Sequence, residues 1–142
     1  GLLHDIGKLG VSNTILDKPG SLTDAEFEIL KHHPAHTHKI LSRSVCFRGI
    51  AHLAASHHEK LDGSGYHRGL SAAALSPCDR ILVVADMYEA LAARRPYRKD
   101  LEEGEVFDIL DRQAGTKICP DAVRALKTFI ADSGFRPYQV AA

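Results

Sequence analysis

The chain has 142 residues, 44% hydrophobic and 25% charged, which suits one globular domain with a single core. Its formal net charge is zero, so whole-chain charge predicts neither a nucleic acid polymer nor a membrane surface as partner. No apolar run approaches the roughly 18 residues of a membrane span, and no signal peptide is visible. The three cysteines form no CxxC pair, which favours buried thiols in a reducing compartment.

The first 22 residues predict a helix end and a loop. Residues 1–8 have the pattern of a helix end, which Gly7 and Gly10 would close. The following residues, 11–22, are predicted to form a loop with its turn at Pro19.

Three helices are expected in the next part of the chain. Residues 23–26 read Thr-Asp-Ala-Glu, a capping box in which the threonine and the glutamate each satisfy a backbone amide of the other. The helix that follows should stop before Pro34, because the residue before a proline disfavours helical geometry. Pro34 itself suits the first turn of the next helix, which runs through residues 40–41. A third helix is predicted over residues 46–58.

The second half of the chain predicts three longer helices. Ser76 and Pro77 form a strong helix start, and this helix would run from residue 77 to about residue 93. The apolar run at 81–84 could alternatively be a buried strand, but the cap before it favours a helix. Helical spacing of apolar residues recurs over 102–113 and 120–132, and a glycine follows each range.

The dipeptide His4-Asp5 is the first candidate site. Neighbours on a helix point about 100° apart, but at a helix end both side chains can reach one point beyond it. An imidazole and a carboxylate suit iron, manganese or zinc, and a carboxylate can bridge two ions. Lys8 lies one turn after His4, so its ammonium could point to the same place. Taken alone, such a pair is more often ordinary polar surface.

Three more histidines and one aspartate extend this candidate site. His33 stands directly before a helix-starting proline, which defines its backbone. His57 and His58 close the predicted 46–58 helix, where adjacent imidazoles can contact different ions; the alternative is a helix C-terminus whose dipole favours positive charge. Asp86 interrupts an apolar helix, so it either lies on an exposed stripe or binds cations, because a buried unpaired carboxylate is costly.

Together these positions supply only nitrogen and oxygen donors, and no cysteine belongs to the pattern. Mixed imidazole and carboxylate donors around two ions indicate a binuclear hydrolytic centre, which polarises a phosphoryl oxygen and supplies hydroxide near neutral pH. After the last donor, Arg95 and Arg98 could hold phosphate groups bidentately, although a solvated helix C-terminus would have the same composition.

These motifs, in this order, resemble the HD-GYP subgroup of the HD superfamily of metal-dependent phosphohydrolases. The likeness covers roughly residues 1–130, and the combination is far more specific than any single motif. The matching motifs are HDIGK at 4–8, KPG at 18–20, HP at 33–34, HHE at 57–59, DGSGY at 62–66, ADMYEAL at 85–91 and RPYRK at 95–99.

The resemblance implies an all-α fold, with the helical bundle of an HD domain over residues 1–133 and a C-terminal tail over residues 134–142. It implies a cytoplasmic bacterial phosphodiesterase that hydrolyses cyclic di-GMP to linear pGpG, GMP or both, by in-line attack of a metal-bridging hydroxide. The implied cofactors are two or three divalent ions, most often iron or manganese. Implied partners are cyclic di-GMP, an upstream receiver or sensor domain and diguanylate cyclases, with no nucleic acid polymer and no membrane contact from this segment.

The resemblance also implies a role for each matching residue. Catalytic roles fall to Asp5, which would bridge two ions, and to Lys8, which would contact the scissile phosphate. Substrate binding falls to Tyr66, near a guanine base, and to Arg95 and Arg98, which would hold phosphate together with Lys8. The implied metal ligands are His4, Asp5, His33, His57, His58 and Asp86.

Two departures from the family pattern matter. The family motif ends Gly-Tyr-Pro, whereas His67 follows Tyr66 here, and histidine loosens a backbone that proline would fix. We expect this change to alter affinity or partner choice before it alters the chemistry. The family also supplies a further histidine ligand upstream of the His-Asp motif. Because the chain starts at Gly1, without a methionine, we expect the natural protein to extend upstream.

Two other functions remain open from the sequence. One is a different HD-type phosphohydrolase that acts on nucleotides or phosphate monoesters, although such an enzyme would not need the loop around Tyr66. The other is a catalytically weak module that binds a cyclic dinucleotide or a protein partner without turnover. All the matched ligand positions are filled, which argues against this loss of catalysis.

Overall fold

The computed structural model describes residues 1–93 and 101–135, and every regular element in these two ranges is a helix. The prediction of an all-α fold is therefore confirmed. The α-helices, in chain order, are α1 (Asn13–Leu16), α2 (Asp24–Leu30), α3 (His33–Ser42), α4 (Ala51–Ala54), α5 (Pro77–Ala92), α6 (Glu103–Gln113) and α7 (Pro120–Ser133). The 3₁₀-helices of the described chain are Ile6–Gly10, Arg48–Ile50 and Ala72–Ala74. None of the described helices combines the length and apolar character needed to cross a membrane.

The sequence located helices best where a cap or a proline marks the first turn. The capping box before α2 is present, with the Glu26 carboxylate accepting from the Thr23 amide at 2.7 Å. A second capping box, between Ser76 and Asp79, begins α5. Pro34 lies in the first turn of α3, as predicted. The ends of α5, α6 and α7 fall within one residue of the predicted ranges.

Two predictions for the first 22 residues were wrong. The expected helix end over 1–8 is a series of turns followed by the 3₁₀-helix Ile6–Gly10, so Gly10 belongs to the helix. The expected loop over 11–22 contains α1, because the Ser12 side chain accepts from the Thr14 amide and caps a single helical turn. The predicted turn at Pro19 is a bend.

The predicted helix over 46–58 is much shorter in the structure. Only Arg48–Ile50 and α4 are helical, and His57 and His58 lie in a turn after α4. Side chains compete for the carbonyls at this end: Ser56 Oγ donates to the His52 carbonyl at 2.9 Å, which the Ser56 amide would reach if the helix continued. His57 Nδ1 donates to the Ala54 carbonyl at 2.7 Å, and that oxygen would accept the His58 amide if the helix continued. The two histidines are therefore held by side-chain contacts instead of by a regular helix.

The segment that carries His4 and Asp5 packs directly against α3. A Cβ on Gly7 would lie 1.9 Å from the His33 carbonyl oxygen, so only glycine allows this approach. The Gly7 amide donates to Thr37 Oγ1 at 2.9 Å, and the same hydroxyl donates to the His4 carbonyl at 2.8 Å. Thr37 is fully buried. These bonds fix the N-terminal segment to the helix that begins with His33.

The hydrophobic core divides into two clusters. The larger one joins α5, α6 and α7 around side chains such as Val84, Leu110 and Val123. The smaller one joins Leu41 of α3 to two alanines of the α4 helix, with Leu3 and Ile6 packed against them. Helix α4 also contacts α5. Polar side chains from the segments around both clusters can therefore meet where α5 contacts α4.

The cysteines correct one expectation. Cys119 is buried next to α7, as predicted for a thiol in a reducing compartment, but Cys46 and Cys78 are exposed. Cys46 lies in the turn after α3, and Cys78 lies in the first turn of α5, where the side chain faces outward. The predicted tail over 134–142 lies outside the described residues except for Gly134 and Phe135.

Candidate metal centre

The residues that the sequence singled out as metal ligands come together in one cluster. His4 and Asp5 precede the first 3₁₀-helix, and His33 is the first residue of α3. The cluster is completed by His57 and His58 from the turn after α4 and by Asp86 from the middle of α5. The donor atoms of His33, His57 and His58 lie within 4.8 Å of one another, and those of His4, Asp5 and His57 do so as well.

The Asp5 carboxylate lies between the imidazoles. Its Oδ1 is 3.3 Å from His33 Nε2 and 3.7 Å from His57 Nε2, while its Oδ2 is 3.4 Å from His4 Nε2. The two oxygens therefore face different donor groups, which suits a carboxylate shared by two ions. Lys8 Nζ donates to Oδ2 at 2.6 Å and adds a cation at the edge of the cluster.

Asp86 connects the other side of the cluster. Its Oδ1 is 3.2 Å from His4 Nε2, and its Oδ2 is 3.7 Å from His58 Nδ1. The side chain is only 17% exposed. Burial alone would raise the pKa of this carboxyl, but the hydrogen bond from His4 and the nearby imidazoles outweigh burial and lower it. The alternative position for Asp86, an exposed stripe of α5, is excluded.

Backbone carbonyls orient the imidazole rings. His33 Nδ1 contacts the Leu30 carbonyl at 2.8 Å and His57 Nδ1 contacts the Ala54 carbonyl at 2.7 Å. Because a carbonyl only accepts, we assign the ring proton to Nδ1, which leaves each Nε2 with a free lone pair. The two Nε2 atoms face each other at 3.0 Å. Two lone pairs directed at one point repel each other unless a proton or a cation lies between them, and this donor set fits a metal ion.

The protonation states also suit metal binding. Burial lowers the pKa of His57 to about 4 and that of His58 to about 3, so both rings are neutral at pH 7. Burial opposes ionisation of Asp5, but the hydrogen bond and the positive charge of Lys8 hold its pKa well below the usual range. His4 differs, because its hydrogen bond to the Asp86 carboxylate raises its pKa. Neutral imidazoles and ionised carboxylates are the forms in which these residues bind metals.

The glycine-rich loop after His58 closes one side of the cluster. The Gly65 Cα lies so near the chain at residue 59 that a Cβ there would meet Glu59 Cα at 2.4 Å. The Tyr66 amide donates to the His58 carbonyl at 3.2 Å, and the Tyr66 ring lies 4.7 Å from the His58 ring. Burial raises the pKa of the Tyr66 phenol, so it stays neutral at physiological pH. The loop thus places an aromatic ring beside the cluster, and the peptide bond between Tyr66 and His67 is cis.

Glu59 holds this loop in place, a role that the sequence did not reveal. Its side chain is fully buried, and its two oxygens accept the amides of Arg68 and Leu70, each at 2.8 Å. The Arg68 guanidinium in turn donates to Ser56 Oγ at 2.7 Å and ties the loop to the α4 end. The only signal in the sequence was an acid placed directly between a histidine pair and a glycine-rich run.

Arg95 and Arg98, the predicted phosphate-binding residues, lie outside the described residues and stay predictions. The other predicted site residues all lie in or beside the cluster. Five of the donors form two groups that share His57, Asp86 contacts His4 and His58, and Lys8 and Tyr66 lie at the edges.

Comparison with known proteins identifies one protein family and several related phosphodiesterases. The HD-domain family model matches residues 1–121. The chain is 47% identical over 126 residues to a 3'3'-cGAMP-specific phosphodiesterase of Vibrio cholerae, covering 89% of this chain and 27% of the relative. It is 43% identical over 125 residues to a cyclic di-GMP phosphodiesterase of Thermotoga maritima, covering 87% of this chain and 34% of the relative.

A third relative is the cyclic di-GMP phosphodiesterase response regulator RpfG of Xanthomonas campestris. It is 38% identical over 126 residues, which cover 87% of this chain and 33% of the relative. The chain thus spans about a quarter to a third of the length of these curated relatives.

Proposed function

The chain belongs to the HD-domain family, and from this premise we propose that it is the hydrolytic part of a metal-dependent phosphodiesterase for cyclic dinucleotides. The proposed substrate is cyclic di-GMP, with linear pGpG, GMP or both as products. The names of the Thermotoga and Xanthomonas relatives support this choice. The DGSGY loop at residues 62–66 and its position beside the cluster support membership of the HD-GYP subgroup. We propose residues 1–133 as the domain and residues 134–142 as its tail.

The observation that carries the proposal is the paired Nε2 atoms of His33 and His57, 3.0 Å apart and both close to Asp5 Oδ1. The proposed cofactors are two or three divalent ions; the imidazole and carboxylate donors suit several metals, and the resemblance to the HD-GYP subgroup favours iron or manganese. Such ions, when bound, would polarise a phosphoryl oxygen and supply hydroxide near neutral pH.

The chain's own residues have distinct proposed roles. Asp5 would be shared by two ions, because its oxygens face different imidazoles. Lys8, whose ammonium lies beside Asp5 at the edge of the cluster, would donate to the scissile phosphate. Tyr66 would stack on a base of the substrate, since its ring lies beside His58. Arg95 and Arg98 are proposed to hold phosphate oxygens.

A second substrate has a specific observation in its favour. The relative with 47% identity is named for 3'3'-cGAMP, which contains one adenine and one guanine. Hydrolysis of 3'3'-cGAMP is therefore the first alternative. Partners on the proposed pathway are a receiver or sensor domain, as the response-regulator name of the Xanthomonas relative suggests, and diguanylate cyclases. We propose that this reaction takes place in the cytoplasm.

The test uses the full-length natural protein, purified without oxygen. Its metal content is measured by elemental analysis, and its hydrolysis of both dinucleotides is followed by chromatography. Asp5→Asn should lose metal and reduce hydrolysis by more than the roughly 10–100-fold that an outer metal partner costs. The matched control is Asp17→Asn, an exposed position in the loop before α2, which should behave as the unsubstituted protein. Bound metal without turnover would refute the proposed enzyme and indicate a binding module. Turnover of mononucleotides alone would indicate a different HD-type phosphohydrolase.

A further inference from the structure

The backbone turn around Asp5 is opened at one hydrogen bond. In a 3₁₀-helix each amide bonds to the carbonyl three residues earlier. The amides of Ile6 and Lys8 follow this pattern, with bond lengths of 3.3 and 2.9 Å. Between them, the Gly7 amide and the His4 carbonyl make no direct bond within the part of the chain that the structure describes.

The Thr37 hydroxyl of α3 is inserted at this point. Its Oγ1 accepts from the Gly7 amide at 2.9 Å and donates to the His4 carbonyl at 2.8 Å. A hydroxyl can do both because it is a donor and an acceptor at once. The fully buried Thr37 side chain therefore joins the backbone on the two sides of Asp5.

The same face of α3 carries a metal donor. Thr37 lies four residues after His33, so the two side chains are neighbours along the helix. The facing edge of the 3₁₀-helix is made of Gly7 and Gly10, because residues three apart eclipse in such a helix. An added Cβ on Gly10 would lie 2.5 Å from His36 Nδ1, so this edge packs as closely as the one at Gly7. The hydroxyl thus sits at a fixed place between two closely packed segments.

We propose that Thr37 is a positioning residue for the metal centre, whose hydroxyl sets the place of Asp5 relative to His33 and thereby the affinity for metal ions; this rests on the proposed function and deepens it. Asp5 Oδ1 lies 3.3 Å from His33 Nε2. Donors that are held in place before an ion arrives lose less conformational freedom when it binds. Without the hydroxyl, the buried Gly7 amide and His4 carbonyl would either stay unsatisfied or bond directly, which tightens the turn and moves Asp5.

The first test titrates Fe²⁺ and Mn²⁺ separately into the metal-free full-length protein, without oxygen, by calorimetry. Thr37→Val keeps nearly the same shape and removes the hydroxyl. It should weaken metal binding by about 10–100-fold, the usual effect of losing an outer metal partner. Thr37→Ser restores the hydroxyl and should recover most of this loss. The matched control is Thr128→Val, whose hydroxyl only donates to a carbonyl of its own helix at an exposed position of α7, and it should bind metal as the unsubstituted protein does.

A second comparison separates positioning from a general loss of stability. Ile130→Val shortens a buried side chain of α7, a helix that carries none of the proposed donors. It should lower the melting temperature of the metal-free protein and leave both metal affinities unchanged. The proposal is overturned if Thr37→Val binds metal as tightly as the unsubstituted protein, or if Ile130→Val weakens metal binding as much as Thr37→Val does.

Hydrogen exchange in the unsubstituted, metal-free protein tests the bridge without any substitution. The Gly7 amide should exchange at least about tenfold more slowly than the Gly20 amide, which lies in an exposed bend. Equal exchange at the two amides would show that the bridge to Thr37 does not form, and it would refute the proposal even if Thr37→Val failed to fold.

Hydrolysis of cyclic di-GMP at saturating metal, measured in the same preparations, distinguishes this proposal from the proposed function. Hydrolysis by the unsubstituted protein, together with an unchanged metal affinity in Thr37→Val, would remove only the role of Thr37. Weaker metal binding by Thr37→Val, without hydrolysis by the unsubstituted protein, would keep that role and overturn the proposed function. An unsubstituted protein that binds neither metal would overturn both.

Discussion

Replacing Glu59 by glutamine tests how the glycine-rich loop is held. The two side chains have nearly the same shape, so Glu59→Gln leaves no cavity and changes the hydrogen bonds to the Arg68 and Leu70 amides and the 3.9 Å ion pair with the Arg68 guanidinium. One amide would keep a neutral acceptor in place of a carboxylate, a loss of about 1 kcal/mol. The other would face an NH₂ group and remain unsatisfied, at a cost of about 1–3 kcal/mol. The expected loss of stability is therefore about 2–4 kcal/mol.

The loss should appear first in the loop. Hydrogen exchange at the Arg68 and Leu70 amides should accelerate by at least about tenfold, since each 1.4 kcal/mol is a factor of ten in an opening equilibrium. Denaturant unfolding followed by circular dichroism measures any global share of the loss. Glu28→Gln is the control, because Glu28 is 66% exposed and makes one surface ion pair, so the change should stay within about 0.5 kcal/mol. Unchanged protection of both amides in Glu59→Gln would refute the role given to this carboxylate.

Three other predictions concern the site. Gly65→Ala should move the loop, raise KM and lower the free energy of unfolding by about 1–3 kcal/mol, because the added methyl group displaces its neighbours. Gly104→Ala has open space around it in α6, so it should leave the free energy of unfolding unchanged or raise it. Equal stabilities of the two variants would contradict the close packing at Gly65. Asp86→Ala should abolish metal-dependent hydrolysis while circular dichroism shows nearly the same helix content, and the exposed control Asp108→Ala should keep activity; full turnover by Asp86→Ala would remove this residue from the site. His67→Pro should alter KM or partner binding before kcat, and unchanged values of all three would make the departure from the family motif neutral.

The sequence predicted those parts of the fold that depend on local chemistry. The Thr23 and Ser76 caps and the proline at position 34 act within one helical turn, so the starts of α2, α3 and α5 could be predicted. The end of α4 could not, because the Ser56 hydroxyl and a ring nitrogen of His57 compete there for the His52 and Ala54 carbonyls. Side-chain competition of this kind has no periodic pattern.

The donor set of the candidate site was predicted because each donor lies in a recognisable motif. The residues that hold these donors in place were not predicted. Thr37 acts through a contact with a segment distant in the sequence, and Glu59 acts through backbone amides of a folded loop. A buried threonine or glutamate cannot be distinguished in the sequence from an exposed one. The pairing of Lys8 with Asp5 needed no tertiary information, because the two residues are three apart.

The separation of the core into two clusters has a thermodynamic consequence. Among the residues that the structure describes, the smaller cluster has Leu41 and two alanines as its buried members, so the N-terminal segments gain little free energy from apolar burial. Ions held by donors at positions 5, 33, 57 and 86 would act as a cross-link among four distant stretches of chain. Metal binding would then stabilise the folded state, and the melting temperature would rise with the concentration of free metal. Catalytic cofactor and structural clamp would be the same ions.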